Sequence, residues 1–214
     1  KKAAAAASDY LDLCDPKYTG RVSYRAKRPV LIAFAFAMGK NPFALYKDKA
    51  KYQALMEEVG QKLMACKKHV KDYWTNGDAL LALMRTGEVT LAMGWDSGGW
   101  KLTQENPDIV FAAPKSGALG WIDTFALPAK ARELDAAYKW INFVMRPDIA
   151  GKVAGSAGNF TASQGSDKFV DPVLSKLYQA SFPPKDVDNI KWYPAVPAGL
   201  EEIEGNILDK VRAA

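Results

Sequence analysis

The chain has 214 residues, enough for one good hydrophobic core or two modest ones. Hydrophobic residues make up 49% and charged residues 25%, an ordinary globular balance. No apolar run approaches the roughly 20 residues that a membrane-spanning helix needs. The net charge of +5 is moderate. Part of it sits in a cluster of Arg21, Arg25, Lys27 and Arg28, while other bases alternate with Asp48, Glu57, Glu58 and Asp72. That alternation belongs to a solvated face rather than a nucleic-acid surface.

Lys1-Lys2 and five alanines are low-complexity and carry no functional reading. They do not form a secretory leader, and since maturation removes leaders, the compartment stays open. Ser8–Leu13 reads as a short helix capped by Ser8. Asp15–Gly20 is a turn, and Arg21–Tyr24 a short alternating strand. Pro29 opens a helix over Val30–Met38 that is apolar almost all round, and Gly39 closes it. At its entry, Lys27 and Arg28 stand beside unpaired N–H groups, which suits a carboxylate, sulfate or phosphate. The plainer alternative is that both bases reach solvent.

Asp48–Lys67 is an amphipathic helix with its stripe on Tyr52, Leu55, Met56, Val59, Leu63 and Met64. Val70 and Tyr73-Trp74 suggest a short strand, and Ala79–Thr86 a helix capped by Asn76 or Asp78. Glu88–Trp95 is a strand that empties into the glycine-rich turn Asp96–Trp100, with Lys101–Glu105 helical. Ser97 lacks the Gly-x-Ser-x-Gly setting of a hydrolase nucleophile. Trp95, at the carboxyl end of its strand, reads as a ligand contact.

Asp108–Pro114 is strand-like, and after Gly117 and Gly120 a second strand begins at Trp121. This crossing reads as a hinge. It carries one carboxylate, Asp123, which either neutralises a bound cation or sits exposed at an edge. Glu133–Met145 is a helix with Leu134, Ala137, Tyr138, Ile141 and Val144 on one face. Pro147 starts another over Asp148–Ala154. A loop holds Asn159, a helix follows Asp171-Pro172, Ser181–Pro197 is an extended strap, and Leu200–Val211 closes the chain. Cys14 and Cys66 fit no metal spacing, and with a single histidine no zinc set forms. They stand as two buried thiols or one disulfide. No cofactor is implied. Alternating strands and helices give an α/β sheet with helices on both faces and ligands beyond the strands' carboxyl ends, where Trp95 and the Arg25–Arg28 turn fall.

Four segments together resemble the periplasmic solute-binding proteins of ABC transporters, in the spermidine/putrescine branch. They are Cys14–Gly20, Gly87–Trp95, Gly120–Pro128 and Ala136–Asp148. The resemblance implies a type II periplasmic-binding-protein-like architecture of two lobes that close on a small solute without catalysis. It implies one nearly complete lobe here, residues 9–119, with 120–165 as the returning part of a first lobe whose N-terminal segment is lacking. Residues 166–214 are then the crossing strap and a helix packing on the second lobe. It further implies a periplasmic location, a Cys14–Cys66 disulfide, an inner-membrane ABC permease as partner, and a monomer when complete. By the same resemblance, Asp123 grips an ammonium between Trp95 and Trp121, with Asn159 and Tyr193 near contact-bearing segments. Where polyamine binders place carboxylates, this chain has Lys27, Arg28 and Pro29. The expected solute is therefore an ω-amino-acid-like zwitterion, with a plain diamine as the runner-up. A non-transport interaction domain is the alternative.

Overall fold

The computed structural model describes residues 7–214, so most of the low-complexity start lies outside the described residues. At the centre is a parallel sheet in the order β2-β1-β3, with β1 at Val22–Ser23, β2 at Val70–Asp72 and β3 at Leu91–Ala92. Parallel neighbours require crossovers. Helices α1 (Arg28–Ala37) and α2 (Lys49–Cys66) connect β1 to β2, and α3 (Gly77–Arg85) connects β2 to β3.

Helix α1 buries every residue from Val30 to Ala35, as its all-round apolarity requires. Helix α2 starts where the Asp48 carboxylate accepts the Lys51 N–H at 3.1 Å. It turns Tyr52, Leu55, Met56, Val59 and Leu63 inward. The last helix, α9 (Leu200–Ala213), lays Leu200, Ile203, Ile207, Leu208 and Val211 against α1 and α2 and seals this core. A disulfide joins Cys14 to Cys66, Cα atoms 4.9 Å apart, and so ties the chain's first turn to the end of α2.

The first turn is a short 3-10 helix over Tyr10–Cys14, capped by Asp9 rather than by Ser8. The Asp12 carboxylate accepts the Asp9 N–H at 2.7 Å, and the Asp9 carboxylate accepts that of Tyr10 at 2.8 Å. This reciprocal cap moves the start one residue on. Helix α4 spans Asp96–Glu105, so the expected glycine-rich turn is the beginning of a helix. Its glycines answer a packing demand, because a Cβ at Gly99 would collide with the Phe111 ring. Trp100, on the same helix, is buried in a second core with Leu174 and Phe182.

The crossing differs most from expectation. Asp108–Pro114 forms no ladder and is held by isolated bonds such as Ala113 N–H to the Ser181 carbonyl at 3.2 Å. The strand beyond it, β4, is Leu119–Gly120 and ends before Trp121. Its parallel partner β5, Lys191–Trp192, matches only those two residues, and no strand among the described residues pairs with the chain from Trp121 to Pro128. Gly117 permits the approach: its φ is +106°, and a side chain there would strike the Asn189 carbonyl.

Beyond the crossing come α5 (Leu134–Val144), α6 (Pro147–Ala157), α7 (Pro172–Ser181) and the short α8 (Pro184–Asp188). Helix α6 buries Ala150, Gly151 and Ala154, with the turn Ser166–Phe169 packed against it. No residue of α5 is buried.

Candidate functional site

All five strands point their carboxyl ends at one cavity of about 700 Å³. Arg25 follows β1, Trp74 follows β2, Trp95 follows β3, Trp121 follows β4 and Tyr193 follows β5, and all five line it. Within the three-stranded sheet and within the separate β4–β5 pair, parallel pairing stacks like ends at one edge. Met93, Val110, Phe111, Phe182 and Val196 make much of the remaining wall apolar.

Trp74 and Trp95 meet edge to face with centroids 5.1 Å apart. The Trp74 indole N–H donates to the Met93 carbonyl at 3.0 Å, which fixes the ring. The Arg25 guanidinium lies 5.5 Å from the Trp74 ring and 5.6 Å from that of Trp95, within cation–π range. Trp95 remains 40% exposed and Trp121 51%, so part of each side chain is open to a ligand.

Arg28 also lines the cavity, but its charge is engaged behind it. Its guanidinium donates to the Tyr46 hydroxyl at 2.5 Å and lies 3.5 Å from the Glu204 carboxylate on α9. Glu204 is 3% exposed and also accepts the Tyr52 hydroxyl. Burial pushes its carboxyl above the usual glutamate range, outweighing the lowering by Tyr52 and Arg28. Burial likewise pushes up the Tyr193 phenol, whose hydroxyl has no hydrogen-bond partner among the described residues.

Of the residues expected at the site, Arg25, Arg28, Trp95, Trp121 and Tyr193 come together. Lys27, Asp123 and Asn159 are exposed and lie outside the cavity walls. The expected anion site at the α1 entry differs for a physical reason: Lys27 turns to solvent, and Arg28 has an internal carboxylate. The cavity wall also holds residues that sequence reading leaves out of the site, among them Trp74 and Asp96. Trp74 reads as the end of its strand, but β2 stops at Asp72 and leaves it beyond the ladder. Asp96 was read only as part of a turn. Among the described residues, no cluster of three His, Cys, Asp or Glu is placed to hold a metal ion. No helix among them is long and apolar enough to cross a membrane.

A parallel sheet emptying into an aromatic cavity is the architecture of a small-solute-binding lobe. The sequence agrees: the bacterial extracellular solute-binding proteins match residues 1–181, and the chain belongs to this family. It is a family of solute-binding proteins, not of enzymes. The spermidine/putrescine-binding periplasmic protein of Escherichia coli is 36% identical over 89 residues, which cover 42% of this chain and 26% of that protein. The corresponding protein 1 of Haemophilus influenzae is 22% identical over 199 residues, covering 92% of this chain and 53% of its own length. A putative spermidine/putrescine ABC transporter structure from Listeria monocytogenes superposes with a TM-score of 0.79 at 21% identity. That match covers 95% of this chain and 61% of the neighbour. The substrate-binding protein PotD of Streptococcus pneumoniae gives 0.77 at 16% identity, covering 97% and 62%. The fold is thus type II periplasmic-binding-protein-like with partial lobes. The chain spans about a quarter to a half of these curated relatives' length.

Proposed function

We propose that this protein is the substrate-binding component of an ABC importer, capturing a small amine-containing solute in the cavity at the strand ends. The observation that carries the proposal is the convergence of Arg25, Trp74, Trp95, Trp121 and Tyr193 from five parallel strands. Aromatic faces attract an ammonium and pack against the alkyl chain it terminates. The relatives whose names specify spermidine and putrescine support an amine as the solute. A periplasmic location and an inner-membrane permease as partner belong to the same proposal, with a monomer as the working form.

In this reading residues 9–119 form the second lobe, 120–165 return to a first lobe, and 166–214 cross back and end on the second. The uncovered apolar face of α5 supports a packing role toward a first lobe. Hinge closure about the Gly117–Gly120 crossing would then bring the two lobes together over the solute.

A thermal-shift screen against diamines, polyamines and ω-amino acids tests the function. A ligand at a hundredfold over its Kd raises stability by roughly 2.7 kcal/mol. The expected result is a higher midpoint with at least one amine, lost in Trp95→Ala. Silence across the panel, or a rise that Trp95→Ala leaves untouched, would refute the assignment.

A further inference from the structure

Four charged side chains line the cavity: Asp9, Arg25, Arg28 and Asp96. Two are already engaged. Asp9 caps the first turn and accepts the Ser116 hydroxyl at 2.5 Å, and Arg28 faces Glu204 and Tyr46. The other two have no charged partner among the described residues. Arg25 is half-buried over two indoles, and its Nε has no hydrogen-bond acceptor there. Asp96 opens α4 directly after Trp95 and is half-buried too. Its carboxylate accepts only backbone N–H groups, Ser97 at 2.8 Å and its own.

An unpaired cation and an unpaired anion on one largely apolar wall each carry a desolvation cost that a bound counter-charge would relieve. They form no ion pair with each other, so each is left free for a ligand. Trp95 neighbours both, since its ring lies 5.6 Å from the Arg25 guanidinium and Asp96 follows it in the chain, and it is 40% exposed, which leaves surface for an alkyl chain. A dication would satisfy Asp96 and be repelled by Arg25, and a plain carboxylate would do the reverse. Only a solute with both charges satisfies both groups.

We propose that the solute is a zwitterion of the ω-amino-acid class, with its carboxylate held by Arg25, its ammonium by Asp96, and its methylenes against Trp95. This inference rests on the solute-binding reading above. It makes Asp96 a specificity-determining residue, reached through a half-buried carboxylate in the cavity wall. Burial also lifts the Asp96 carboxyl above the usual aspartate range, which a neighbouring ammonium would reverse.

Calorimetric titration of the full chain with 4-aminobutanoate, 1,4-diaminobutane and butanoate tests it, since these share one carbon skeleton and differ in their end charges. The zwitterion should bind at least roughly tenfold tighter than either of the others. R25Q and D96N should each weaken its binding by roughly 10- to 100-fold. R25Q should also shift the preference toward the diamine, and D96N toward butanoate, which general damage would not do. Melting curves check that both variants fold, and R25K and D96E replace any that does not. If the diamine binds tighter and R25Q leaves the preference unchanged, the zwitterion assignment falls while the solute-binding function stands. If none of the three, nor spermidine, gives any heat, both fall.

Discussion

Helices α2 and α5 carry the same kind of apolar stripe and end in opposite surroundings. In α2, Tyr52, Met56, Val59 and Leu63 are fully enclosed by α1 and α9. In α5, Leu134 and Tyr138 of the stripe are exposed, Ala137, Ile141 and Val144 are only half-buried, and no residue of the helix is buried. The sequence period identifies which face of a helix favours cover. Whether that face is covered depends on elements far along the chain, here α9 for α2, and period says nothing about those. The sealed region therefore holds the larger of the two cores, and the α5 region offers a surface.

The largest expected effect tests the staple within the sealed region. Cys14 and Cys66 are 52 residues apart in sequence and close a loop around β1, α1 and α2. Loop-closure entropy alone gives a bridge of that span about 4 kcal/mol. The double variant Cys14→Ser/Cys66→Ser should lower unfolding stability on that scale in urea, with no loss of cooperativity. A loss under about 1 kcal/mol would mean that the unreduced sealed region is held by packing alone.

Paired truncations then probe the contrast directly. Leu63→Ala removes a fully enclosed side chain and should cost about 2–5 kcal/mol. Leu134→Ala removes one that is 44% exposed and should stay within about 0.5 kcal/mol. Urea midpoints at constant slope read both. Equal costs would show that α5 is packed in solution and would dissolve the distinction between the regions.

The same contrast explains what was legible beforehand. Helix α2 is legible because its stripe is a local feature, and Trp95 and Arg25 because each follows its own strand. Trp74 follows a strand of three residues whose place beside β1 is set by long-range pairing, which no local pattern records. Arg28 looks like a free cation in sequence because its carboxylate, Glu204, lies at the other end of the chain. Asp123 was assigned to a strand on residue preference alone. The ladder stops at Gly120 because β5 offers only Lys191 and Trp192 as partners, so Asp123 is carried past the sheet into solvent. In each case the missing term was a partner distant in sequence, not a misjudged residue type.

The smallest expected effect concerns the one buried carboxylate that α9 brings into the sealed region. Burial raises the folded-state value of Glu204 above its ordinary 4.5, although Tyr52 and Arg28 both pull it down. Over that interval the native state keeps a proton that the unfolded chain has released. Stability from this group is therefore complete below the ordinary value and declines as pH climbs through the raised one. Asp15 and Asp48 run in the other direction. Their lysine partners lower both, so their contribution is present above the ordinary value and lost as pH falls. Comparing Glu204→Gln with the parent at each pH cancels those opposing groups. The parent's advantage should be greatest near the acid end and shrink toward neutrality, measured by urea unfolding at several pH values. An advantage that grew with pH would mean that the Arg28 charge, 3.5 Å away, outweighs desolvation and that the pair is ionised throughout. The sealed region would then hold a true buried ion pair, and α9 would be fastened by charge as well as by its apolar face.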